Sequence, residues 1–350
     1  MRIGLNLGYA TSAEELVDNV ALAVAAESLG FDCVWAAEAY GSDAVSVLAA
    51  VAARTNRIGI GSAVLQIPGR TPAMTAMTAA TLDALSAGRF HLGLGVSGPQ
   101  VSEGWHGVRF ADPIGRTDEY VQIVRQALSR HRVTAGGRHF TLPLPGGQGK
   151  SLVLALQPVR RDIPVYLAAL GPKNLDLAGR IADGWLAIFF DPETVGGSVD
   201  RIRRAAVDAG RDPDALDVCA TIPTSVDADP IRAADRARAH AALYIGGMGS
   251  PKTNFYHRTA TEMGFGEEAD EVQRRFLSRD YPGAAAAVPF DFIDRTGLLG
   301  DEHRIAERLD RLASAGVTSI AVICFDADLA GKIATLTTVA AAAQRAGVGG

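Results

Sequence analysis

Residues 58–98 constrain the fold more than any other stretch, because they have the pattern of a strand, a helix and a second strand in direct succession. Residues 58–65 are mostly apolar, which is typical of a strand buried on both faces. Thr71 and Pro72 provide an N-cap and a proline at the first helical position, and Gly88 ends the helix. The second strand, 90–94, leads into a loop of small residues. This pattern predicts a βαβ unit with a binding loop after each strand.

The same alternation of strand and helix runs along most of the chain, which predicts a parallel sheet with right-handed crossovers. Eight strands with covering helices indicate an α/β fold of the (β/α)8 TIM barrel type. Strands are predicted at 3–7, 33–36, 58–65, 90–94, 164–168, 185–190, 217–224 and 319–325. Helices are predicted at 14–28, 43–53, 72–86, 116–129, 174–181, 193–209, 230–244, 302–314 and 328–345.

Two segments interrupt the alternation. Residues 131–163 are punctuated by glycine and proline and predict an excursion with a hairpin, and residues 246–300 predict a larger insertion with a charged helix at 267–279. A (β/α)8 barrel needs about 250 residues, which leaves roughly a hundred for these two segments. We therefore expect residues 1–350 to form one barrel domain with insertions at the carboxyl-terminal face of its strands.

Charge and cysteine content exclude several functional classes. The formal net charge of −5 provides no basic face for nucleic acid or anionic lipid. No segment reaches membrane-spanning length, and the residues after Met1 lack the pattern of a targeting signal. Cys33, Cys219 and Cys324 are widely spaced, and each lies in or beside a predicted strand. We expect them to be core residues of a cytoplasmic protein that has neither a nucleic acid nor a membrane as partner.

Familiar catalytic motifs are missing from the sequence. It has no GxxxxGK[ST], no HExxH and no GxSxG. The seven histidines do not pair at the spacing of metal ligands. We therefore expect no metal and no acyl-transfer chemistry.

The candidate site residues follow the predicted strands, because a barrel of this kind builds its site at the carboxyl ends of the strands. The loop after the fifth strand is a candidate anion site, since free N–H groups at a helix start and Lys173 both favour phosphate. The same Gly-Pro sequence is also an ordinary helix start. From the residues alone, the loop can therefore be either an anion site or simply the beginning of a helix. The first four strands are followed by Asn6; by Glu38, Ala39 and Tyr40; by Ala63, Val64 and Gln66; and by Gly95, Val96, Ser97 and Gly98.

Three segments in the same order carry a resemblance to a known family. GIGSAVLQIPGRTPAMTAMTAATLDALSAGRFHLGLGVSG, LAALGPKNLDLAGRIADGW and TGLLGDEHRIAERLDRLASAGVTSIAV resemble the luciferase-like flavin and deazaflavin oxidoreductases. More closely, they resemble the coenzyme F420-dependent branch that includes methylenetetrahydromethanopterin reductase. The resemblance implies a (β/α)8 barrel and F420 as cofactor, with FMN as the alternative.

The resemblance also implies roles for individual residues. A non-prolyl cis peptide in the family's third-strand bulge backs the cofactor ring, and it corresponds to Ala63 and Val64. Asn6, Gln66 and the segment Gly95, Val96, Ser97 and Gly98 are expected to bind the cofactor. The loop expected to hold its phosphate consists of Ala168, Ala169, Leu170, Gly171, Pro172, Lys173 and Asn174.

Two departures from the family bear on the substrate. Alcohol-oxidising members have an Asp-His pair after the second strand, where this chain has Glu38 and Ala39, and alanine cannot accept a proton. A lysine that holds the sugar phosphate in the glucose-6-phosphate enzyme corresponds to Asp191, which would repel that substrate. We therefore expect an oxidoreductase that moves a hydride between deazaflavin and another small organic substrate.

Catalytic and substrate-contacting residues are predicted with alternatives. Glu38 is a candidate proton donor, or else a carboxylate hydrogen-bonded behind the site, and His106 is a candidate donor from the loop after the fourth strand. The expected substrate pocket comprises Tyr40, Trp105, Asn254, Tyr256 and His257. An FMN-dependent monooxygenase and a barrel that binds the cofactor without turnover are the alternative functions. The resemblance further implies a homodimer that pairs through barrel helices.

Overall fold

A computed structural model describes residues 1–249 and 254–349, so part of the predicted 246–300 insertion and the last residue lie outside the described residues. Eight parallel strands close into a ring in which each strand pairs with its neighbours in chain order and the last pairs with the first. The predicted (β/α)8 barrel is confirmed. The strands are β1 (Arg2–Asn6), β2 (Cys33–Ala36), β3 (Gly59–Ser62), β4 (Phe90–Gly95), β5 (Val165–Ala168), β6 (Gly184–Ile188), β7 (Asp217–Val226) and β8 (Ser319–Cys324).

Helices cover the ring and form the insertion. Side-chain N-caps begin many of them, as at Ser12, Asp43, Thr71 and Asp301. The helices are α1 (Ala13–Ser28), α2 (Ala44–Ala52), α3 (Pro72–Leu85), α4 (Pro99–Gly104), α5 (Pro113–Leu128), α6 (Pro172–Ile181), α7 (Gly196–Asp208), α8 (Pro230–Ala242), α9 (Phe255–Glu262), α10 (Gly266–Leu277), α11 (Tyr281–Ala287), α12 (Phe290–Thr296), α13 (Glu302–Ser314) and α14 (Leu329–Arg345).

The two excursions attach to the barrel at different places. The first joins the end of α5 to the start of β5 and contains a small antiparallel hairpin, as predicted. Glu119 on α5 accepts hydrogen bonds from three successive backbone N–H groups of this hairpin, at residues 138–140. The second follows α8, contains α9 to α12 and shares an apolar core with α8. It ends with a short strand, Leu298–Gly300, which pairs with the end of β7.

The interior of the barrel is filled by rings that pack against glycines. A Cβ atom on Gly61 would lie 2.4 Å from the Trp35 ring, and one on Gly184 would lie 2.2 Å from the Tyr166 ring. Trp35 and Tyr166 pack edge to face with centroids 5.1 Å apart. The two glycines therefore make room for the two largest side chains of the interior.

A buried carboxylate joins the amino-terminal ends of the strands. Asp217, at the start of β7, accepts hydrogen bonds from Tyr166 of β5 and from Ser319 of β8, both at 2.8 Å. Arg2 of β1 forms an ion pair with the same carboxylate at 2.8 Å. The closure of the ring is thus fixed at the end of the barrel remote from the loops that follow the strands.

Candidate active site

One wall of the barrel mouth is a recess formed where β3 and β4 end. The Ala63–Val64 peptide bond is cis, as the resemblance implied. A Cβ atom on Gly95 would lie only 2.5 Å from Cγ2 of Val64, so glycine is needed for these two segments to come together. The Ser62 hydroxyl donates to the carbonyl oxygen of Gly93 at 2.8 Å and accepts from its N–H at 2.9 Å. The recess therefore has a fixed backbone and an apolar lining, which suits a flat ring.

The loop after β4 turns away from this recess. Ser97 has a φ of 60°, in the left-handed region that non-glycine residues seldom adopt. Gly98 then begins α4, a six-residue helix that the sequence did not predict. Val96, Ser97 and Gly98 are all partly exposed, so their backbone borders the mouth as expected for cofactor-binding residues.

A polar network lies where β2 and the bulge after β3 end. Gln66 donates through Nε2 to the carbonyl oxygens of Glu38 and Ala39, each at 3.0 Å, and its Oε1 lies 2.6 Å from Nε2 of His106. The Glu38 carboxylate is bound by both terminal nitrogens of Arg70, at 2.5 and 2.7 Å. Both predicted proton donors therefore have protein partners already.

Asn6 connects two strands at the base of the mouth. The side chain is 7% exposed, its Nδ2 donates to the Thr221 hydroxyl of β7 at 3.3 Å, and its Oδ1 accepts from the N–H of Gly8 at 2.8 Å. The residue thus fixes the loop that carries Tyr9. Its predicted contact with a cofactor remains a prediction.

The predicted phosphate loop follows β5 and begins α6. The indole of Trp185 donates to the carbonyl oxygen of Ala169 at 2.9 Å, which anchors the loop between Ala168 and Leu170. Gly171 is the N-cap, Pro172 is the first helical residue, and neither has a side chain that caps the helix. The N–H of Asn174 bonds the carbonyl oxygen of Gly171 at 2.9 Å, whereas the N–H groups of Gly171 and Lys173 form no backbone hydrogen bond within the described residues and are available to an anion.

Arg258 of the insertion lies beside the same loop. A Cβ atom on Gly171 would be 3.8 Å from Nη2 of Arg258, whose guanidinium also stacks on the Phe255 ring at 4.9 Å. Within the described residues its ion pair is a long contact of 3.7 Å with Glu262. Sequence reasoning missed Arg258, because nothing in the sequence brings α9 to the start of α6.

The predicted substrate-pocket residues fall into two groups. Tyr40 and Trp105 are exposed, at 54% and 67%, and Tyr256 is partly buried in an aromatic cluster. Asn254 instead has a structural position, with Nδ2 donating to the carbonyl oxygens of Tyr244 and Ile245 at 3.0 and 2.7 Å. His257 bonds Asp270 of α10 at 2.9 Å.

Tyr9 and Tyr244 also belong to the mouth, although sequence reasoning missed them. Tyr9 lies just after β1, at the position where a barrel site is expected, and that position alone could have identified it. Tyr244 lies in a π-helical turn, Leu243–Gly247, which continues α8. Nothing in the sequence marks this turn except the pair Gly246 and Gly247, which pack against the Phe276 ring.

In residues 1–249 and 254–349, no three His, Cys, Asp or Glu side chains come together as a metal site. No helix among the described residues is long and apolar enough to cross a membrane.

Comparison with known proteins identifies the class to which this fold and site belong. Residues 1–319 match the family model of luciferase-like monooxygenases, and the chain belongs to that family. The Mycobacterium tuberculosis protein named "Putative coenzyme F420-dependent oxidoreductase Rv3520c" is 41% identical over 343 residues, which cover 96% of this chain and 99% of that protein.

Two methanopterin enzymes are similar as well. The 5,10-methylenetetrahydromethanopterin reductase of Archaeoglobus fulgidus is 30% identical over 84% of this chain and 86% of its own length. The solved structure of the coenzyme F420-dependent tetrahydromethanopterin reductase from Methanopyrus kandleri superimposes with a TM-score of 0.83 at 25% identity, covering 97% of this chain and 98% of that chain.

Proposed function

We propose that this protein is a coenzyme F420-dependent oxidoreductase that transfers a hydride between the deazaflavin ring and a small organic substrate. The observation that carries the proposal is the joint presence, at one barrel mouth, of a flat recess at Val64 and Gly95 and an anion-binding helix start at Gly171. Similarity over nearly the whole length to a relative with F420 in its name supports the same cofactor.

Residues of the barrel mouth fit the two chemically distinct ends of such a cofactor. Ala63, Val64 and Gly95 would back the ring, since they are small or apolar and Gly95 packs so closely on Val64 that a Cβ atom on it would press on the Val64 side chain. The phosphate would bind the first-turn N–H groups of α6, with Lys173 and Arg258 supplying positive charge. When bound, the deazaflavin accepts or supplies a hydride, and the chain's own residues orient the substrate and hold the proton.

Glu38 is proposed as a positioning residue. Burial alone would lower the pKa of Arg70, but the hydrogen bonds and charge of Glu38 outweigh it and raise that pKa above its usual value. Arg70 therefore stays protonated, and the Glu38 carboxylate stays in its ion pair with Arg70. Through its backbone carbonyl Glu38 also holds Gln66, and through Gln66 it holds His106.

Asp191 and its partners disfavour a sugar phosphate as substrate. The Asp191 carboxylate is fully buried and binds Arg295 of α12 at 2.5 Å and the Thr194 hydroxyl at 3.0 Å. Arg295 also donates to the carbonyl oxygen of Met263 at 3.2 Å. The ion pair of Asp191 and Arg295 therefore holds the insertion on the barrel. The carboxylate would repel a phosphate, and the guanidinium is already paired.

The direct test is a titration of the purified protein with F420 and, separately, with FMN at matched concentrations. We expect F420 to bind at least about tenfold more tightly, a difference of about 1.4 kcal/mol. Preference for FMN together with oxygen consumption would replace the proposal with the monooxygenase alternative. Binding of neither compound would favour a barrel without turnover.

We further propose a homodimer that pairs through α3. This helix leaves Met74, Met77 and Leu85 more than half exposed, which is unusual for large apolar side chains on one helix of a monomer. Light scattering after chromatography should give twice the mass of the 36.6 kDa chain. The double variant M74E/M77E should give the monomer mass, whereas a wild-type monomer would contradict the proposal.

We also propose single-domain folding and a cytoplasmic location, each of which has a simple test. The ion pair between Asp191 and Arg295 joins the insertion to the barrel, so urea should unfold the chain in one transition. The three cysteines are free in the structure, which suits a reducing compartment. Separate unfolding transitions, or recovery from the cell exterior in fractionation, would contradict the respective proposal.

A further inference from the structure

Four tyrosines from separate parts of the chain surround one side of the barrel mouth. Tyr9 and Tyr40 follow β1 and β2, and their rings lie 6.4 Å apart. Tyr244 lies on the π-helical turn and Tyr256 on α9, with their rings edge to face at 4.9 Å. The phenols of Tyr9 and Tyr40 are close enough to act electrostatically on Tyr244, so the two pairs border a common space.

The tyrosines of the insertion are held in place by groups that do not themselves reach the mouth. The Phe189 ring packs edge to face on Tyr244 at 5.5 Å and on Tyr256 at 6.0 Å. Phe189 has a φ of 53°, a left-handed conformation that a bulky residue rarely adopts and that clusters at functional sites. Asn254 bonds the carbonyl oxygens of the π-helical turn and caps α9 through Oδ1, so it fixes both rings relative to each other.

The four hydroxyl groups have no hydrogen-bond partner in the part of the chain that the structure describes. Among residues 1–249 and 254–349, none of them forms a hydrogen bond, and none of the hydroxyl oxygens of Tyr9, Tyr244 and Tyr256 is sealed in the core as a buried unpaired atom. Tyr40 is exposed and Tyr9, Tyr244 and Tyr256 are partly exposed, so a ligand at the mouth can contact all four side chains. Burial raises the pKa of Tyr244, and the nearby phenols of the other three tyrosines raise it further, so this phenol is a neutral hydrogen-bond donor across the physiological range.

The strand order places the two tyrosines of the insertion across the mouth from the bulge after β3, while Tyr9 and Tyr40 lie on the strands to its side. Phe189 follows β6, and β6 and β8 flank β7, which is diametrically opposite β3 in the ring of eight. The Ala63–Val64 bulge follows β3. A flat molecule lying on a cofactor ring in that recess would therefore meet the tyrosines with its outer face and edge.

We propose that these four tyrosines bind a planar, uncharged α,β-unsaturated carbonyl compound or quinone, and that the Tyr244 hydroxyl is the group that donates to its oxygen. The inference rests on the proposed function, which supplies reduced F420 as the reductant. Tyr244 is chosen because its ring packs on three neighbours, at 4.9 Å from Tyr256, 5.5 Å from Phe189 and 4.8 Å from His240, which fixes its position best within the cluster.

The proposed step balances in electrons and protons. As the hydride arrives at the β-carbon, the carbon–carbon π pair shifts and the carbonyl π pair moves onto oxygen, giving an enolate. The enolate oxygen takes the proton of the Tyr244 hydroxyl, and water returns a proton to the phenolate. The substrate gains a hydride and a proton, and the reduced cofactor is oxidised by two electrons.

Binding without turnover is the first test. The probes are menadione, which is planar and uncharged, and 1,4-naphthoquinone-2-sulfonate, which is planar and anionic, each titrated into protein loaded with oxidised F420 and into unloaded protein. We expect the loaded wild type to prefer menadione, and Y244F and Y256F to weaken it by about threefold to tenfold, as the loss of one hydrogen bond predicts. The matched control is Y281F, since Tyr281 on α11 is 53% exposed and lies outside the cluster.

Turnover with F420 reduced beforehand is the second test. Y244F should lower kcat for menadione by on the order of a hundredfold, as the loss of a general acid predicts, with the affinity for F420 unchanged. Normal F420 binding combined with unaltered menadione affinity and kcat in Y244F and Y256F would overturn the inference, as would preference for the sulfonate. A wild type that fails to bind F420 would contradict the proposed function instead. If menadione binds the unloaded wild type more tightly than unloaded Y244F, the tyrosine site is supported independently of the cofactor.

Discussion

Arg70 binds both carboxylate oxygens of Glu38, and one of its terminal nitrogens also binds Asp43 at 2.8 Å. The Arg70 and Glu38 side chains are only 18% and 10% exposed, so replacing either one leaves a largely desolvated charge without its partner. We expect Arg70→Ala to lower the free energy of unfolding by about 3 kcal/mol in urea denaturation. The control Arg274→Ala, which breaks an exposed pair with Glu271, should cost less than about 1 kcal/mol.

Glu38→Gln distinguishes the two roles considered for this carboxylate. The amide cannot form the ion pair, so the variant should lose stability, while the turnover of the folded fraction should fall by less than about tenfold. Turnover should be measured at a temperature where the unfolding curve shows the variant fully folded. Unchanged stability with turnover abolished would contradict the positioning role and restore Glu38 as a proton donor.

Gly95→Ala tests the recess. The new methyl group would lie 2.5 Å from Cγ2 of Val64, so the Val64 side chain must move toward the space where we propose the ring binds. We expect the affinity for F420 to fall by at least about tenfold, measured by fluorescence titration. Gly104→Ala is the matched control, since nothing lies within 4 Å of its added Cβ atom, and equal affinities in the two variants would count against a ring at this position.

The anion site can be tested by charge removal. Lys173→Ala and Arg258→Ala should each weaken F420 binding by about threefold to tenfold, and the loss should shrink at high salt because screening weakens the same attraction. Neither substitution should change the affinity for a deazaflavin compound that lacks the phosphate. Arg180→Ala removes a charge from the opposite end of α6 and should leave both affinities as they are. An equal loss for the phosphate-free compound would place the phosphate elsewhere.

Acid stability depends on two buried histidines. Burial is the chief cause that lowers the pKa of His91 and of His240 to about 4, from an ordinary 6.5. The unfolded chain therefore binds more protons than the folded chain between these values. The contribution of the two neutral histidines to the free energy of unfolding is fully present above pH 6.5 and is lost as the pH falls toward 4. Each histidine loses up to about 1.4 kcal/mol per pH unit, and roughly 3 kcal/mol in total.

Urea denaturation at several pH values checks this dependence. His240→Phe keeps an aromatic ring against Tyr244 and Phe325 but cannot bind a proton, so it should remove about half of the acid sensitivity. His303, which is exposed on α13, provides the control variant His303→Ala. The same acid slope in wild type and His240→Phe would show that other groups dominate.

Local signals in the sequence were sufficient for the barrel. The predicted strand 33–36 and helix 302–314 match the structure residue for residue, because caps, glycine stops and apolar runs act within one element. The strand predicted at 58–65 instead ends at Ser62 and resumes as Leu65–Gln66 beyond the cis peptide. Its apolar run gives no local sign of that break, whose position came from the resemblance alone.

The site was less predictable because its groups come from distant parts of the chain. Glu38 was considered as a proton donor, but the partner that occupies it lies 32 residues away and nothing in the sequence couples them. Asn254 was expected to contact substrate, yet tertiary packing directs its amide to the π-helical turn. Arg258 and Tyr244 carry no motif, and only the folded insertion brings them to the mouth.

The ring is held together by Asp217 at the end where no substrate enters. Substitutions among the loops at the other end therefore leave the bonds from Arg2, Tyr166 and Ser319 untouched. The bonds that close the ring thus lie at one end and the substrate-contacting loops at the other. A lineage can exchange one substrate for another without disturbing the closure of the barrel, provided that it keeps the ion pairs of Glu38 and Asp191.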